Sequence, residues 1–342
     1  MSKPREEIIL SVRNLETAFL TGNGLVKAVR GVSFDLYRGE VLGIVGESGS
    51  GKTVTSMSIL QLLPGTGFIA GGRIEFGGLD LITTGKRQLR RIRGNRIAMI
   101  FQDPMSSLNP TMTVGAQVAE MIGEHRKDLS GKGTREEVLR LLRLVRIPEA
   151  ERRYSSYPHE FSGGMRQRAM IAIALACQPD ILIADEPTTA LDVTIQEQIL
   201  KLLRRLRDEM NMSIIFITHD LGVVAEICSR VVVMYGGMIL EQAPVEDIFE
   251  HPSHPYTMGL LASVPNMAHD KGLRLQSIPG SPPDMIRPPL GCPFAPRCPY
   301  VRNVCVSNMP PANEVAPGHV SACWLLLPEA PLDRNPFGKA RA

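Results

Sequence analysis

Strand-like and helix-like hydrophobic patterns alternate along this chain. Residues 8 to 45 hold IILSVRNLETAF, VRGVSFDL and EVLGIV, whose alternating apolar positions and β-branched residues read as three strands. A Gly-rich turn follows, and TVTSMSILQLL continues as a helix. GRIEFGG and RIAMIF are further short strands. From about Asp103 to Asp180 the apolar spacing turns helical, most clearly in EEVLRLLRLV. ILIAD is a continuous apolar run of strand length, as expected of a parallel strand covered on both faces. IQEQILKLLRRLRDEM reads as a long amphipathic helix, SIIFITHD as another buried strand, and RVVVMYGGMILEQ as a hairpin turning at Gly236 and Gly237. The order predicts an α/β core with a mainly parallel sheet, an antiparallel β subdomain and a helical subdomain inserted over about 103–180. After Glu250 the character changes. HPSHPYTMGLLASVPN opens a Pro- and Gly-rich extension over 251–342, which ends in DRNPFGKARA, a segment that reads as loose.

Composition narrows the partners. A chain of 342 residues with 44% hydrophobic content is long enough for a full core. A formal net charge of +3 is too near balance for nucleic acid as the main partner. The strongest charge cluster, KRQLRRIRGNR from Lys86 to Arg96, lacks interleaved aromatics and reads as a solvated helical face. No apolar run approaches the ~20 residues of a membrane-crossing helix. MSKPREEIIL puts acidic residues where a signal peptide has its apolar region. The expectation is a protein on the cytoplasmic side that reaches a membrane through partners. Cys177 and Cys228 lie in apolar stretches and are expected to be buried packing residues. Cys292, Cys298, Cys305 and Cys323 crowd into the extension instead.

Two motifs carry phosphate chemistry. GESGSGKT, Gly46 to Thr53, fits G-x-x-x-x-G-K-[ST] between a strand and a helix. Gly46, Gly49 and Gly51 let backbone amides, with those of Ser48 and Ser50, curl around phosphate oxygens. The helix that follows points its positive end at the same phosphates. Lys52 would reach the β- and γ-phosphates and Thr53 would ligate Mg²⁺. A Gly-rich turn with an accidental lysine is the bland alternative, and the strand–loop–helix setting argues against it. ILIADEP then ends an apolar strand in two carboxylates. Asp185 would hold Mg²⁺ through water, and Glu186 would orient or deprotonate an attacking water. Alone, this pair reads equally well as a solvated acidic turn.

FSGGMRQR, Phe161 to Arg168, resembles the signature sequence of the ABC ATPases and stands just before the carboxylate strand, as in that family. Met165 replaces the family's usual glutamine. Ser162 is able to cap the following helix, and its hydroxyl with the Gly163 and Gly164 amides forms an anion site. The resemblance implies that this site faces the γ-phosphate of ATP on an opposite subunit, in a head-to-tail dimer. It also implies roles for Gln102 at Mg²⁺ and water, for Asp192 of TALD at the dimer seam, and for His219 near the γ-phosphate. Phe19 would stack on adenine, with Tyr37 as the alternative. A histidine at a strand end is by itself more often a structural hydrogen-bond partner, and the order of the motifs reverses that.

FQDPMSSLNPTMTVGAQ, ADEPTTALDVTIQ, HPSHPYTMGLL and GCPFAPRCPYVRNVC resemble the ATPases of the dipeptide and oligopeptide importers, closest to the D-type member of their usual pair. That resemblance implies an ABC nucleotide-binding domain over 1–250 and a family-type extension over 251–342. It implies a paralogous ABC ATPase as heterodimer partner, two transmembrane permeases and an extracytoplasmic solute-binding protein. Nickel complexes, glutathione and oligosaccharides are alternative cargoes, and a soluble ABC ATPase acting on nucleic acid or ribosomes is the competing class. The cysteine spacing, C-x5-C-x6-C-x17-C, lacks the tight pair of a zinc site, and disulfides are disfavoured in the cytosol. Four thiolates are able to ligate a [4Fe–4S] cluster, which the resembled family carries in this extension. Zinc and free thiols remain alternatives.

Overall fold

The computed structural model describes residues 7–189, 191–263, 277–327 and 335–337. The first six residues, Ala190 of TALD, the segment 264–276 and most of DRNPFGKARA lie outside the described residues. Packing divides the chain into two compact units. The first comprises Met1–Glu7, Tyr37–Glu40 and Thr83–Ile217; the second comprises Ile8–Leu36, Val41–Ile82 and Thr218–Ala342.

The first unit is built on three parallel strands, Ile97–Ile100, Ile181–Asp185 and Ser213–Thr218, side by side in that order. Every residue of Ile181–Asp185 and of Ser213–Thr218 is buried, which is why both runs are apolar without alternation. The helix Val193–Met210 sinks Ile199, Leu200, Leu202, Leu203 and Leu206 and leaves its charged face in water. Each such side chain contributes about 1.5–3 kcal/mol by leaving water. Asn211, at φ 49°, ends that helix in a left-handed cap. The helical segment contains Val114–His125, Lys132–Leu144 and Gly163–Ala174, the second burying Val138, Leu141 and Leu142. Of the basic run, Lys86–Ile92 is helical and buries only Leu89 and Ile92. The expected burial of Cys177 needs correction. It lies just past the end of Gly163–Ala174 and is half-buried, whereas Cys228 of the second unit is buried as expected.

The second unit holds a four-stranded sheet ordered Gly24–Tyr37, Ile8–Thr21, Gly67–Phe76, Leu79–Asp80. A register break between Arg13 and Glu16 interrupts the alternation, and Asn14 and Gly72 both take positive φ there. Val41–Val45 runs parallel to Arg230–Tyr235, which turns back as Met238–Pro244. Gly236 and Gly237, at φ 54° and 76°, supply the left-handed turn that the hairpin requires. Two strands unforeseen in the extension, His319–Ser321 and Asn313–Ala316, add to the edge of Met238–Pro244. They are three and four residues long, too short for a periodic signal. The helix after the Gly-rich turn is Lys52–Ile59, shorter than TVTSMSILQLL suggested. Gln61 takes a φ of 50° and its side-chain amide donates to Leu81 O, which stops the helix.

Candidate functional site

The Gly-rich turn lies in the second unit, leaving the buried strand Val41–Val45 and opening Lys52–Ile59. Gly46 has φ 151°, and a Cβ there would strike Met234 O. Gly51 has φ 100° at the helix N-cap, with Ala28 O only 2.6 Å from where a Cβ would sit. Both positions therefore demand glycine. Lys52 is buried and folds back over the turn, its Nζ donating to Gly46 O at 2.7 Å and Glu47 O at 3.0 Å. Ser48 and Gly49 are exposed at the crest, and Ser50 is buried. Thr53 is half-buried in the first helical turn.

Glu47 of this turn is gripped from elsewhere in the same unit. Arg297 donates to both carboxylate oxygens, at 2.6 and 3.1 Å, and Tyr256 Oη accepts the Glu47 N–H at 2.9 Å. Neither partner was foreseen, since they stand more than two hundred positions along the chain, and no local pattern marks such a pair. Phe19 is half-buried on Ile8–Thr21 opposite Gly67, whose missing side chain leaves room for the ring. Tyr37, the alternative, is half-buried at the end of Gly24–Tyr37. His219 is exposed one residue beyond Ser213–Thr218, ahead of Asp220, which caps Leu221–Ile227.

The two carboxylates lie in the first unit. Asp185 closes the buried strand at 1% exposure. Glu186 follows with φ 47°, a left-handed conformation that costs a non-glycine residue about 1–3 kcal/mol and aims its side chain out of the strand. Its N–H donates to Ile217 O at 2.9 Å. Its Oε2 accepts from Gln102 Nε2 at 3.0 Å and from Thr189 Oγ1 at 2.9 Å. The structure thus joins Gln102 to Glu186, a contact the sequence reading did not name, and adds Thr189, which was read only as part of TALD.

Ser162 caps the helix Gly163–Ala174, its Oγ accepting from Met165 N at 3.3 Å. Ser162 and Gly163 are exposed, and a Cβ on Gly164 would lie 2.8 Å from the Ile195 side chain, so this helix start packs tightly on the next. Asp192 caps Val193–Met210 through Ile195 N at 2.9 Å.

The four extension cysteines line one small cavity of the second unit, partly open to solvent. Burial, reinforced by the neighbouring cysteines, pushes the thiols of Cys292 and Cys323 up to about 12 and that of Cys298 up to about 11. His254 shares the cavity wall. Its Nδ1 accepts from Tyr256 N, so the ring carries its proton on Nε2, which is buried without a partner. Burial holds this imidazole neutral, its pKa lowered to about 3. Among the described residues, no group of three or more His, Cys, Asp or Glu side chains is set to hold a metal ion.

The sequence matches the ABC transporter family over residues 29–189 and the C-terminal region of oligopeptide/dipeptide transporters over residues 240–305. The "Probable peptide ABC transporter ATP-binding protein" of Sinorhizobium fredii is 55% identical over 94% of this chain and 96% of its own. The dipeptide transport ATP-binding protein DppD of Bacillus subtilis is 54% identical over 93% and 95%. Among solved structures, an ATP-binding cassette dimer in a post-hydrolysis state with ADP and Pi matches with a TM-score of 0.62 at 28% identity, over 69% of this chain and 98% of the cassette.

Proposed function

Since this chain belongs to the ABC transporter ATP-binding proteins of the dipeptide and oligopeptide type, we propose that it is the ATP-hydrolysing subunit of an importer for di- and oligopeptides. The observation that carries the chemistry is Glu186, held left-handed at a strand end with its carboxylate accepting from Gln102 and Thr189. Two neutral donors orient that carboxylate, as a group that orients or deprotonates water requires. Lys52 leaves the carbonyls of the Gly-rich turn to meet the β- and γ-phosphates of MgATP, while the turn's amides and the helix start cradle them. Thr53, Asp185 and Gln102 attend Mg²⁺, His219 attends the γ-phosphate, and Phe19 stacks on adenine. Ser162, Gly163 and Gly164 offer an anion site to nucleotide on a second cassette, with Asp192 at that seam.

Residues 1–250 form the cassette on this reading, and 251–342 form the extension. The second cassette is a paralogue. Two permeases in the membrane and an extracytoplasmic binding protein complete the importer, with this chain peripheral on the cytoplasmic face. No helix of the described residues is long and apolar enough to cross a membrane. Glu186→Gln tests the assignment. Nucleotide binding should persist while hydrolysis drops about a hundredfold or more; near-normal turnover removes Glu186 from this role.

The cysteine cavity is read as the seat of a [4Fe–4S] cluster held by Cys292, Cys298, Cys305 and Cys323. Four soft ligands line one space with no carboxylate among its residues, the donor type of iron–sulfur chemistry, though as placed they form no group set to hold a metal ion. When bound, the cluster would act as a structural staple for the extension. Anaerobically purified protein should be brown, and Cys298→Ala should lose both the colour and the iron. A colourless protein carrying one zinc per chain overturns this reading.

A further inference from the structure

Glu47 is bound at every polar group it has. Its N–H donates to Tyr256 Oη at 2.9 Å, and its carbonyl accepts from Lys52 Nζ at 3.0 Å and Ser50 N at 3.2 Å. Its carboxylate takes the fork of Arg297. That guanidinium is equally committed. Its five N–H donors meet Glu47 twice, Tyr235 Oη at 3.0 Å, Ile278 O at 3.0 Å and Pro279 O at 2.8 Å. Only 5% of the Arg297 side chain is exposed, and its charged end lies 5.7 Å from the centre of the Tyr235 ring. Tyr235 packs against Tyr256 and Phe294, with ring centres at 4.6 and 5.5 Å. The extension thus reaches into the turn that bears Lys52 and fixes its second residue through a saturated, part-buried contact.

We propose that Arg297 is a positioning residue for nucleotide binding, gripping Glu47 so that the turn Gly46–Thr53 keeps its phosphate-receiving shape before nucleotide arrives. The proposal rests on the reading of that turn as the nucleotide loop. Arg297 acts through Glu47 and touches no phosphate. A loop already ordered loses less freedom on binding, so the grip strengthens affinity without entering the chemical step. Bidentate geometry matters here. A lysine would keep the charge and lose both the fork and the tie to Pro279.

The test uses the full chain, with calorimetric titration of MgADP and steady-state hydrolysis of MgATP, on the parent, Arg297→Ala, Arg297→Lys, Glu47→Gln and the double variant Arg297→Lys/Glu47→Gln. Arg297→Ala should raise the MgADP Kd about tenfold, equivalent to about 1.4 kcal/mol. Arg297→Lys and Glu47→Gln should each raise it about threefold. In all three, KM for MgATP should rise while kcat stays within about twofold. The double variant should be no weaker than the weaker single, because both remove the same contact. Should Arg297→Ala fail to fold, Arg297→Lys and Glu47→Gln decide alone. Unchanged affinity in both, additive losses in the double variant, or losses confined to kcat overturn the proposal. If the folded parent takes up no MgADP, the nucleotide reading falls and the proposal falls with it; if the parent binds and the variants bind equally well, only the proposal falls.

Discussion

Two glutamates follow the two motif strands of this molecule, and their surroundings differ in one decisive respect. Glu47 is met by a guanidinium that forks onto both of its carboxylate oxygens. Glu186 is met by an amide and a hydroxyl, both on a single oxygen. The first carboxylate is neutralised in place and becomes a girder. The second is aimed by neutral donors and by a left-handed backbone. The same side chain is thus forked by a guanidinium in one unit and met by an amide and a hydroxyl in the other, and the proposed roles of girder and base follow that difference.

The sharpest way to break that comparison is to make the same substitution at both positions. Glu186→Gln should reduce hydrolysis about a hundredfold or more with nucleotide affinity intact. Glu47→Gln should leave kcat within about twofold and act on KM. The two variants are isosteric with their parents, so packing changes little, and the contrast reads the function of each charge. Equal effects on kcat would erase the distinction between girder and base.

A smaller effect is expected at Thr189, whose hydroxyl is one of the two donors on Glu186. Thr189→Val keeps the β-branched shape and removes the bond. A hydrogen bond of this kind is worth about 0.5–1.5 kcal/mol, which corresponds to a rate loss of about two- to twelvefold. Stopped-flow hydrolysis at saturating MgATP should show the loss in kcat with KM unchanged. No change would leave Gln102 as the sole orienting group.

The two motifs that carry these glutamates were legible in the chain itself, and the illegible part has a common cause. GESGSGKT and ILIADEP announce themselves because the constraints are local: glycines where φ is positive, an apolar run where both sheet faces are covered. The Ser162 cap lies within three residues of the amide it receives, and the same short range holds for Asp192, which was read only as a seam residue. Arg297 and Tyr256 are 250 and 209 positions from Glu47, and nothing in a linear pattern links them. The same holds for His319–Ser321, a three-residue strand whose place is set by pairing with Met238–Pro244. The half-burial of Cys177 also depends on where its helix ends, which hydropathy alone does not fix. The left-handed Glu186 is a further case, because its strain exists only once Ile217 O and the two donors are in place.

The least effect should come from Tyr256, which holds Glu47 by its backbone where Arg297 holds it by its side chain. Burial pushes this phenol well above its ordinary range, so it stays protonated and its oxygen remains a neutral acceptor throughout the working pH range. Tyr256→Phe preserves the ring, its contacts with Tyr235 and Phe294, and the apolar packing. Only the acceptor for the Glu47 N–H is removed. Leaving that amide unpartnered should lower stability by about 1 kcal/mol, the bottom of the range for a buried donor, because Arg297 still anchors the residue. The Kd for MgADP should rise no more than about twofold, within reach of calorimetry against the larger shift expected for Arg297→Ala. If Tyr256→Phe proved the more damaging of the two, the backbone bond would be the girder, and the charge on Glu47 would be incidental to holding the loop.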